Sequence, residues 1–220
     1  MEILLTILSG IGWIIVYEEC IRLGFKQKTF SMPFFALALN VAWEAIYTYS
    51  DIFLNAHGEL TGMTLVQTIA NALWVCLDVI ILVTYFKFGK KYWSKNIDKK
   101  YFIPWSILGL ITCFILQIVF IVEFKFEMAA EYSAFLQNLL MSVLFISMFA
   151  KRGNMEGQSL LLAFAKWIGT LAPTILMGII TYNPLVLTTG ILCSVFDIIY
   201  IVMLVKFKND NKELGIDNGY

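Results

Sequence analysis

The fold class predicted from the sequence is an all-α membrane protein: a seven-transmembrane-helix bundle with its N-terminus outside and its C-terminus in the cytoplasm. Three observations predict it. Of 220 residues, 60% are apolar or aromatic and only 15% are charged, against roughly 45–50% and about 25% in soluble domains, and mean hydropathy is +0.78. The apolar residues run together, as in 103–122 and 139–150, which one soluble core of this size could not hide. The basic residues gather in every second connection. A secreted disulfide scaffold, a nucleic-acid binder and a disordered chain are all excluded.

Seven segments qualify, near 3–23, 33–55, 63–86, 102–123, 131–150, 159–180 and 184–206. Each has close to the ~20 residues that cross ~30 Å of hydrocarbon. The first follows Glu2 without a basic lead and is too long for a signal segment, so it is read as a permanent helix. Pro33, Pro104 and Pro184 fall in first turns, where a missing N–H costs little. Tyr92, Trp93, Tyr101 and Trp105 suit an interfacial belt. Pro173 predicts a kink at mid-depth in the sixth segment. Residues 1–206 form one transmembrane domain, and 207–220 are read as a polar cytoplasmic tail.

Charge in the connections orients the bundle. One side holds Arg22, Lys26 and Lys28, six lysines between Lys87 and Lys100, then Lys151, Arg152, Lys206, Lys208 and Lys212. The other holds Lys125 alone, beside Glu123, Glu127 and Glu131. The basic side is cytoplasmic by the positive-inside rule, which explains the Lys87–Lys100 run without an anionic-lipid or nucleic-acid partner. Net charge is zero, so no global field draws a partner. The connections are too short for a soluble domain, and the function belongs inside the bundle. Cys20, Cys76, Cys113 and Cys193 are dispersed and read as small hydrophobes. His57, alone in a polar loop, makes no metal site.

Leu77-Asp78-Val79-Ile80 resembles Phe196-Asp197-Ile198-Ile199 at an offset of 119, and both continue to a Lys-aromatic exit, Lys87-Phe88 and Lys206-Phe207. This hints at a parallel 3+1+3 repeat of helices 1–3 and 5–7.

Charge at mid-bilayer costs at least ~2.5–3.5 kcal/mol on insertion scales, so intramembrane acids are functional candidates. Glu44, Asp78 and Asp197 lie well inside. Asn40, Glu44, Tyr47 and Asp51 form one helical stripe with Trp43 beside it; Thr64, Gln67, Asn71, Trp74 and Asp78 form another, and Thr189, Cys193, Asp197 and Tyr200 a third. From the outer helix ends, Glu44, Asp197 and Asp78 lie about 16, 20 and 22 Å deep. Three acids in one layer imply one polar pocket, walled by Trp43, Tyr47, Trp74 and Tyr200. In such a pocket at least one acid keeps its proton at neutral pH, and aromatic faces stabilise a developing cation. That combination suits proton-initiated cyclisation of a polyene. Asn40, Gln117, Gln137 and Asn138 are more simply read as hydrogen-bonding glue between helices. Glu18 and Glu19 suit an interfacial pairing with Arg22. Lys166 is expected to snorkel to the cytoplasmic face.

Trp43-Glu44 with Tyr47, Trp74 with Leu77-Asp78, and Phe196-Asp197 with Tyr200, on seven short-looped helices, resemble the integral-membrane terpene cyclases of fungal meroterpenoid and indole-diterpene pathways, a family with bacterial relatives. The resemblance implies an essential acid on the second helix, which protonates a terminal epoxide of a prenyl chain, and another on the last. Carried over, these are Glu44 and Asp197, with Asp78 in support; Asn40, Asn71 and the four aromatics would bind substrate and stabilise cations. It implies a lipophilic prenylated substrate, no metal or organic cofactor, and a multi-pass protein of the bilayer, in the plasma membrane if the chain is bacterial. The alternative is a small-solute transporter of the seven-helix 3+1+3 type, favoured by the repeat. Against it, only Pro173 of the four prolines lies deep in a helix. A retinal protein would need a mid-depth lysine on the seventh helix, which carries only Lys206 at its exit.

Overall fold

The computed structural model describes residues 1–56, 58 and 62–214. His57 and the last six residues of the tail lie outside them. The described residues form seven α-helices and no strand: α1 (Glu2–Lys26), α2 (Phe34–Leu54), α3 (Gly62–Phe88), α4 (Phe102–Glu123), α5 (Phe126–Arg152), α6 (Leu160–Pro173) and α7 (Pro184–Glu213). Short 3₁₀ turns, Gly89–Tyr92 and Lys99–Tyr101, join α3 to α4. Six helices are long and apolar enough to cross a membrane. The exception is α2, whose 21 residues suffice in length but whose polar stripe dilutes its hydropathy.

Local chemistry sets the helix ends. Asn55 closes α2 in the left-handed region (φ 49°) and Gly153 closes α5 likewise (φ 61°). Ser159 caps α6 by accepting from the Leu162 N–H at 3.1 Å, and Asn183 caps α7, with Pro184 in its first turn. Two boundaries differ from the sequence reading. α5 starts at Phe126 rather than near 131, because Glu127 and Glu131 are favourable in the first turns, where the helix dipole welcomes negative charge. α7 runs on to Glu213, so the first part of the polar tail is helical.

After Pro173, α6 gives way to a π-helical stretch, Thr174–Ile180. Proline removes the N–H that would close the preceding turn.

Packing treats the two sets of three helices alike. α3 lies against both α1 and α2, and α7 lies against both α5 and α6. α1 packs on α6 while α2 packs on α5, and α4 bridges α2 and α5. The α1–α6 seam is tight because two glycines meet: a Cβ on Gly12 would lie 2.8 Å from Gly169 Cα. Ser9 Oγ donates to the Gly169 carbonyl at 2.8 Å across the same seam. All four cysteines are free thiols.

At the lysine-rich end the connections are tied together. The Arg152 guanidinium lies 4.5 Å from the Phe30 ring and 4.3 Å from the Tyr92 ring, and it donates to the Phe30 carbonyl at 2.9 Å. The Glu156 carboxylate accepts from Lys91 and Tyr92, each at 2.6 Å. Glu19 pairs with Arg22 at 2.7 Å, as expected of an interfacial acid.

Candidate functional site

A cavity of about 540 Å³ occupies the half of the bundle away from the lysine-rich end, within the range of small-molecule sites. Six of the nine residues singled out from sequence line it: Asn40, Trp43, Glu44 and Tyr47 on α2, with Asn71 and Trp74 on α3. The stripes explain this, since spacings of 3 and 4 put these side chains on one face of each helix. Trp13 and Tyr17 of α1, Gln137 of α5, Pro173 at the end of α6 and Met177 in the π-helical stretch after it also line it.

Asp78, Asp197 and Tyr200 do not line the cavity, so the expectation of one chamber holding all three acids is corrected. Asp78, fully buried, stands beside Glu44, within its direct electrostatic and hydrogen-bonding reach. Asp197 is elsewhere. Lys166 Nζ donates to both of its carboxylate oxygens at 2.9 Å and to Ser142 Oγ at 2.7 Å. Lys166 therefore does not snorkel: it is 0% exposed, because a buried aspartate on α7 compensates its charge and a hydroxyl on α5 fills its donor set. Tyr200 donates to Gln158 Oε1 at 2.8 Å and packs on Phe145, a role in the core.

Glu44 is held by a hydrogen-bond chain with one direction. Gln117 Nε2 donates to Gln137 Oε1 at 2.9 Å, and Gln137 Nε2 donates to Asn40 Oδ1 at 3.1 Å. Asn40 Nδ2 donates to Tyr17 Oη at 3.3 Å, and the Tyr17 hydroxyl donates to Glu44 Oε1 at 2.5 Å. Each amide spends its N–H on the next acceptor, so the Tyr17 proton is directed at the carboxyl. These amides tie helices together, as expected, and they also aim at the acid.

The contrast between the acids is electrostatic. Among the described residues, no N–H or O–H donor reaches Glu44 Oε2 or either oxygen of Asp78. Facing one another as bare carboxylates they would be mutual acceptors, and their contact becomes a hydrogen bond only with a proton on one of them. Asp197 is paired with the Lys166 ammonium instead. Around Glu44, Tyr17 stacks on Trp74 with centroids 6.3 Å apart, and Trp43 leans on Tyr47 at 4.7 Å. Trp43 is pinned by its indole N–H to the Ala130 carbonyl at 3.1 Å. Among the described residues, no group of three or more His, Cys, Asp or Glu is disposed to hold a metal ion.

Sequence reasoning missed Tyr17 and the rest of the α1 wall. A signal was there: Thr6, Ser9, Trp13 and Tyr17 recur at spacings of 3, 4 and 4, the same kind of stripe as on α2.

Comparison with known proteins places this architecture. A family model for Pyr4-like transmembrane terpene cyclases matches residues 1–210. The chain is 26% identical over 169 residues to the Pyr4-family terpene cyclase mfmH of Annulohypoxylon moriforme, covering 76% of this chain and 65% of that protein. It is 23% identical over 212 residues to terpene cyclase pyr4 of Aspergillus fumigatus, covering 91% and 84%. With terpene cyclase macJ of Penicillium terrestre it shares 24% identity over 171 residues, covering 76% and 62%. The matched region thus spans somewhat under two thirds of mfmH and of macJ. No solved structure matches the chain significantly. With the family match running from the first residue through most of α7, the chain belongs to the Pyr4-like transmembrane terpene cyclases.

Proposed function

We propose that this protein is a membrane-embedded terpene cyclase that closes rings on a lipophilic prenylated substrate carrying a terminal epoxide, with Glu44 as the Brønsted acid and no metal or cofactor in the chemistry. The observation that carries the reading is Glu44 itself: an acid in the wall of an aromatic cavity, its Oε1 occupied by Tyr17, its Oε2 without a donor, and a second acid behind it.

In this reading Glu44 and Asp78 are both protonated at rest, because neither has a cation to balance it. The Glu44 proton passes to the epoxide oxygen and the C–O bond to the more substituted carbon breaks. The neighbouring alkene supplies an electron pair to that carbon, forming the C–C bond of the ring and moving the positive charge along the chain. Loss of a proton from the last cation completes the reaction, and the product is an isomer of the substrate. The carboxylate left on Glu44 is stabilised by the Tyr17 hydroxyl and the proton of Asp78, which are already in place. The faces of Tyr17, Trp43, Tyr47 and Trp74 stabilise the travelling cation.

Asp197 takes a different role from the one expected of it. If helices 1–3 and 5–7 are a duplicated unit, Asp78 and Asp197 are equivalent, each on the third helix facing the second. The offset of 119 and the matched packing support the duplication. In the first unit the partner on the second helix is an acid, Glu44; in the second it is Lys166. One half-site keeps protons for chemistry, and the other is neutralised and holds α5, α6 and α7 together. We place the lysine-rich end in the cytoplasm, as the loop charges require.

The test is turnover. Purified protein in detergent is incubated with an epoxyprenylated aromatic compound, and products are analysed by mass spectrometry and NMR. A cyclic product of unchanged mass is expected. Glu44→Gln should abolish it while the protein stays folded and monodisperse. Recovery of substrate unchanged across a panel of prenyl chain lengths sinks the reading.

A further inference from the structure

Of the residues in the hydrogen-bond chain, Gln117 alone has no part in the wall of the cavity. It is buried on α4, where the stretch 102–122 has no charged residue and no other side-chain amide. A buried amide in so apolar a segment is costly unless its position gains something. Cement between helices is one such gain, but Gln117 serves it poorly. Its Nε2 donates to Gln137 Oε1 at 2.9 Å, while its own Oε1 is buried without a donor among the described residues. What Gln117 supplies to its neighbours is one N–H, aimed at the head of a chain that ends on Glu44.

We infer that Gln117 is a positioning residue for the cyclisation: from α4, through Gln137 and Asn40, it fixes the Tyr17 hydroxyl as a donor to Glu44. The inference rests on the reading of Glu44 as the acid and adds a remote residue that governs how readily that acid parts with its proton. Asn and Gln amides are nearly symmetric in shape, but one end donates and the other accepts. Gln137 Nε2 meets Asn40 Oδ1 at 3.1 Å, and Asn40 Nδ2 meets Tyr17 Oη at 3.3 Å. Turning one of these amides over alone sets oxygen against oxygen on one side and hydrogens against hydrogens or an unmet oxygen on the other. The links therefore turn together or not at all. In the reversed chain Asn40 Oδ1 faces Tyr17, and the hydroxyl donates to Asn40 instead of Glu44. The Gln117 N–H at the head opposes that reversal, because without it Gln137 Oε1 is buried and unpaired. The sense of the chain matters most once Glu44 has given up its proton. A carboxylate only accepts, and N–H and O–H dipoles already pointing toward it stabilise its charge without reorganisation.

The experiment compares full-chain variants in detergent micelles by two readouts. Steady-state kinetics use the epoxyprenylated aromatic compound. Infrared difference spectra of each protein against its own Glu44→Gln counterpart isolate the carboxyl C=O stretch of Glu44 and need no turnover. Gln117→Met keeps the volume and removes the N–H. Its kcat should fall about three- to tenfold with KM little changed, as when an interaction made in the transition state is lost. Its Glu44 band should move to higher frequency, in the same direction as in Tyr17→Phe. Gln117→Glu, whose neutral carboxyl still donates to Gln137, should bring kcat back toward the parent. In a Tyr17→Phe background, where the last link is gone, Gln117→Met should have no further effect on kcat. Gln137→Met cuts the chain one link nearer the acid and keeps the test available if Gln117→Met does not fold. A Gln117→Met protein that is less stable but keeps its kcat and its Glu44 band overturns the proposal. So does a loss of kcat that adds in full to that of Tyr17→Phe. A parent that never cyclises refutes the cyclase reading alone, and the band shift still decides this inference. A parent that cyclises, with a band indifferent to Gln117→Met, refutes this inference alone.

Discussion

Glu44 and Asp197 are both buried acids on helices of the bundle, and only their neighbours separate them. Glu44 meets a tyrosine O–H and a second acid, whereas Asp197 meets Lys166. Residue types and depths were legible in the chain, but partners across helices were not, because a side chain's partner depends on how helices are rotated against one another. The lysine shows this most clearly: alone at its depth, an ammonium snorkels; with an aspartate opposite, it stays. Two predictions belong at this scale. Tyr17→Phe removes one hydrogen bond to the acid, worth about 1.5–3 kcal/mol when the acid is charged, so turnover should fall about 10- to 100-fold with the fold retained; a variant as active as the parent would remove Tyr17 from the mechanism. Lys166→Met strands Asp197 and should destabilise the protein by about 3–5 kcal/mol in denaturation assays, while Lys166→Met with Asp197→Leu should recover most of that loss. A double variant no better than the single one would show that the pair is not a self-contained unit.

The elements that mattered most were those whose polar stripes survived inside apolar helices. The stripes of α2 and α3 lead to six cavity residues, and the α1 stripe, which leads to Tyr17, has the same form. What the pattern lacks is any mark for close approach. Gly12 and Gly169 let α1 and α6 touch backbone to backbone, and α6 in turn carries Pro173 and Met177 into the cavity wall. Gly12→Ala would place its Cβ 2.8 Å from Gly169 Cα and 2.9 Å from the Ala165 carbonyl oxygen, which no side-chain rotation relieves. Thermal unfolding should show a loss of about 1–3 kcal/mol, as for an overpacked core. Gly10→Ala, with nothing within 4 Å of the new methyl, should cost nothing. Equal effects of the two would mean that the seam tolerates a wider spacing.

At the scale of the whole molecule, one end is tied shut and the cavity lies toward the other. Three connections converge on Arg152 and Glu156: Arg152 is held between Phe30 and Tyr92, and Gly157 N–H donates to Gln27 at 2.6 Å. Burial pushes the Glu156 carboxyl up, but hydrogen bonds from Lys91 and Tyr92 and the charges of Lys91 and Arg152 outweigh it and hold the group below its ordinary value. A carboxyl depressed in the folded state contributes its full stability above the unfolded value of about 4.3. It loses that contribution as pH falls through the lower folded value. Because the Lys91 partner is well exposed, the gain is at most about 1 kcal/mol. Glu156→Gln should therefore lower thermal stability slightly at pH 7, and the gap to the parent should close below about pH 4. A gap that stays constant on acidification would mean that Glu156 contributes through packing rather than charge.

The sequence by itself determined that the chain is all-α and built from seven mostly apolar helices, because hydrophobic length and period are properties of segments. Tertiary structure alone decided which acids stand side by side, which one finds a cation, and that an amide chain starting on α4 ends at Glu44. Those outcomes depend on helix rotation and spacing of a few ångströms, set by glycine contacts and by the π-helical stretch after Pro173, whose consequences are felt on neighbouring helices rather than on their own.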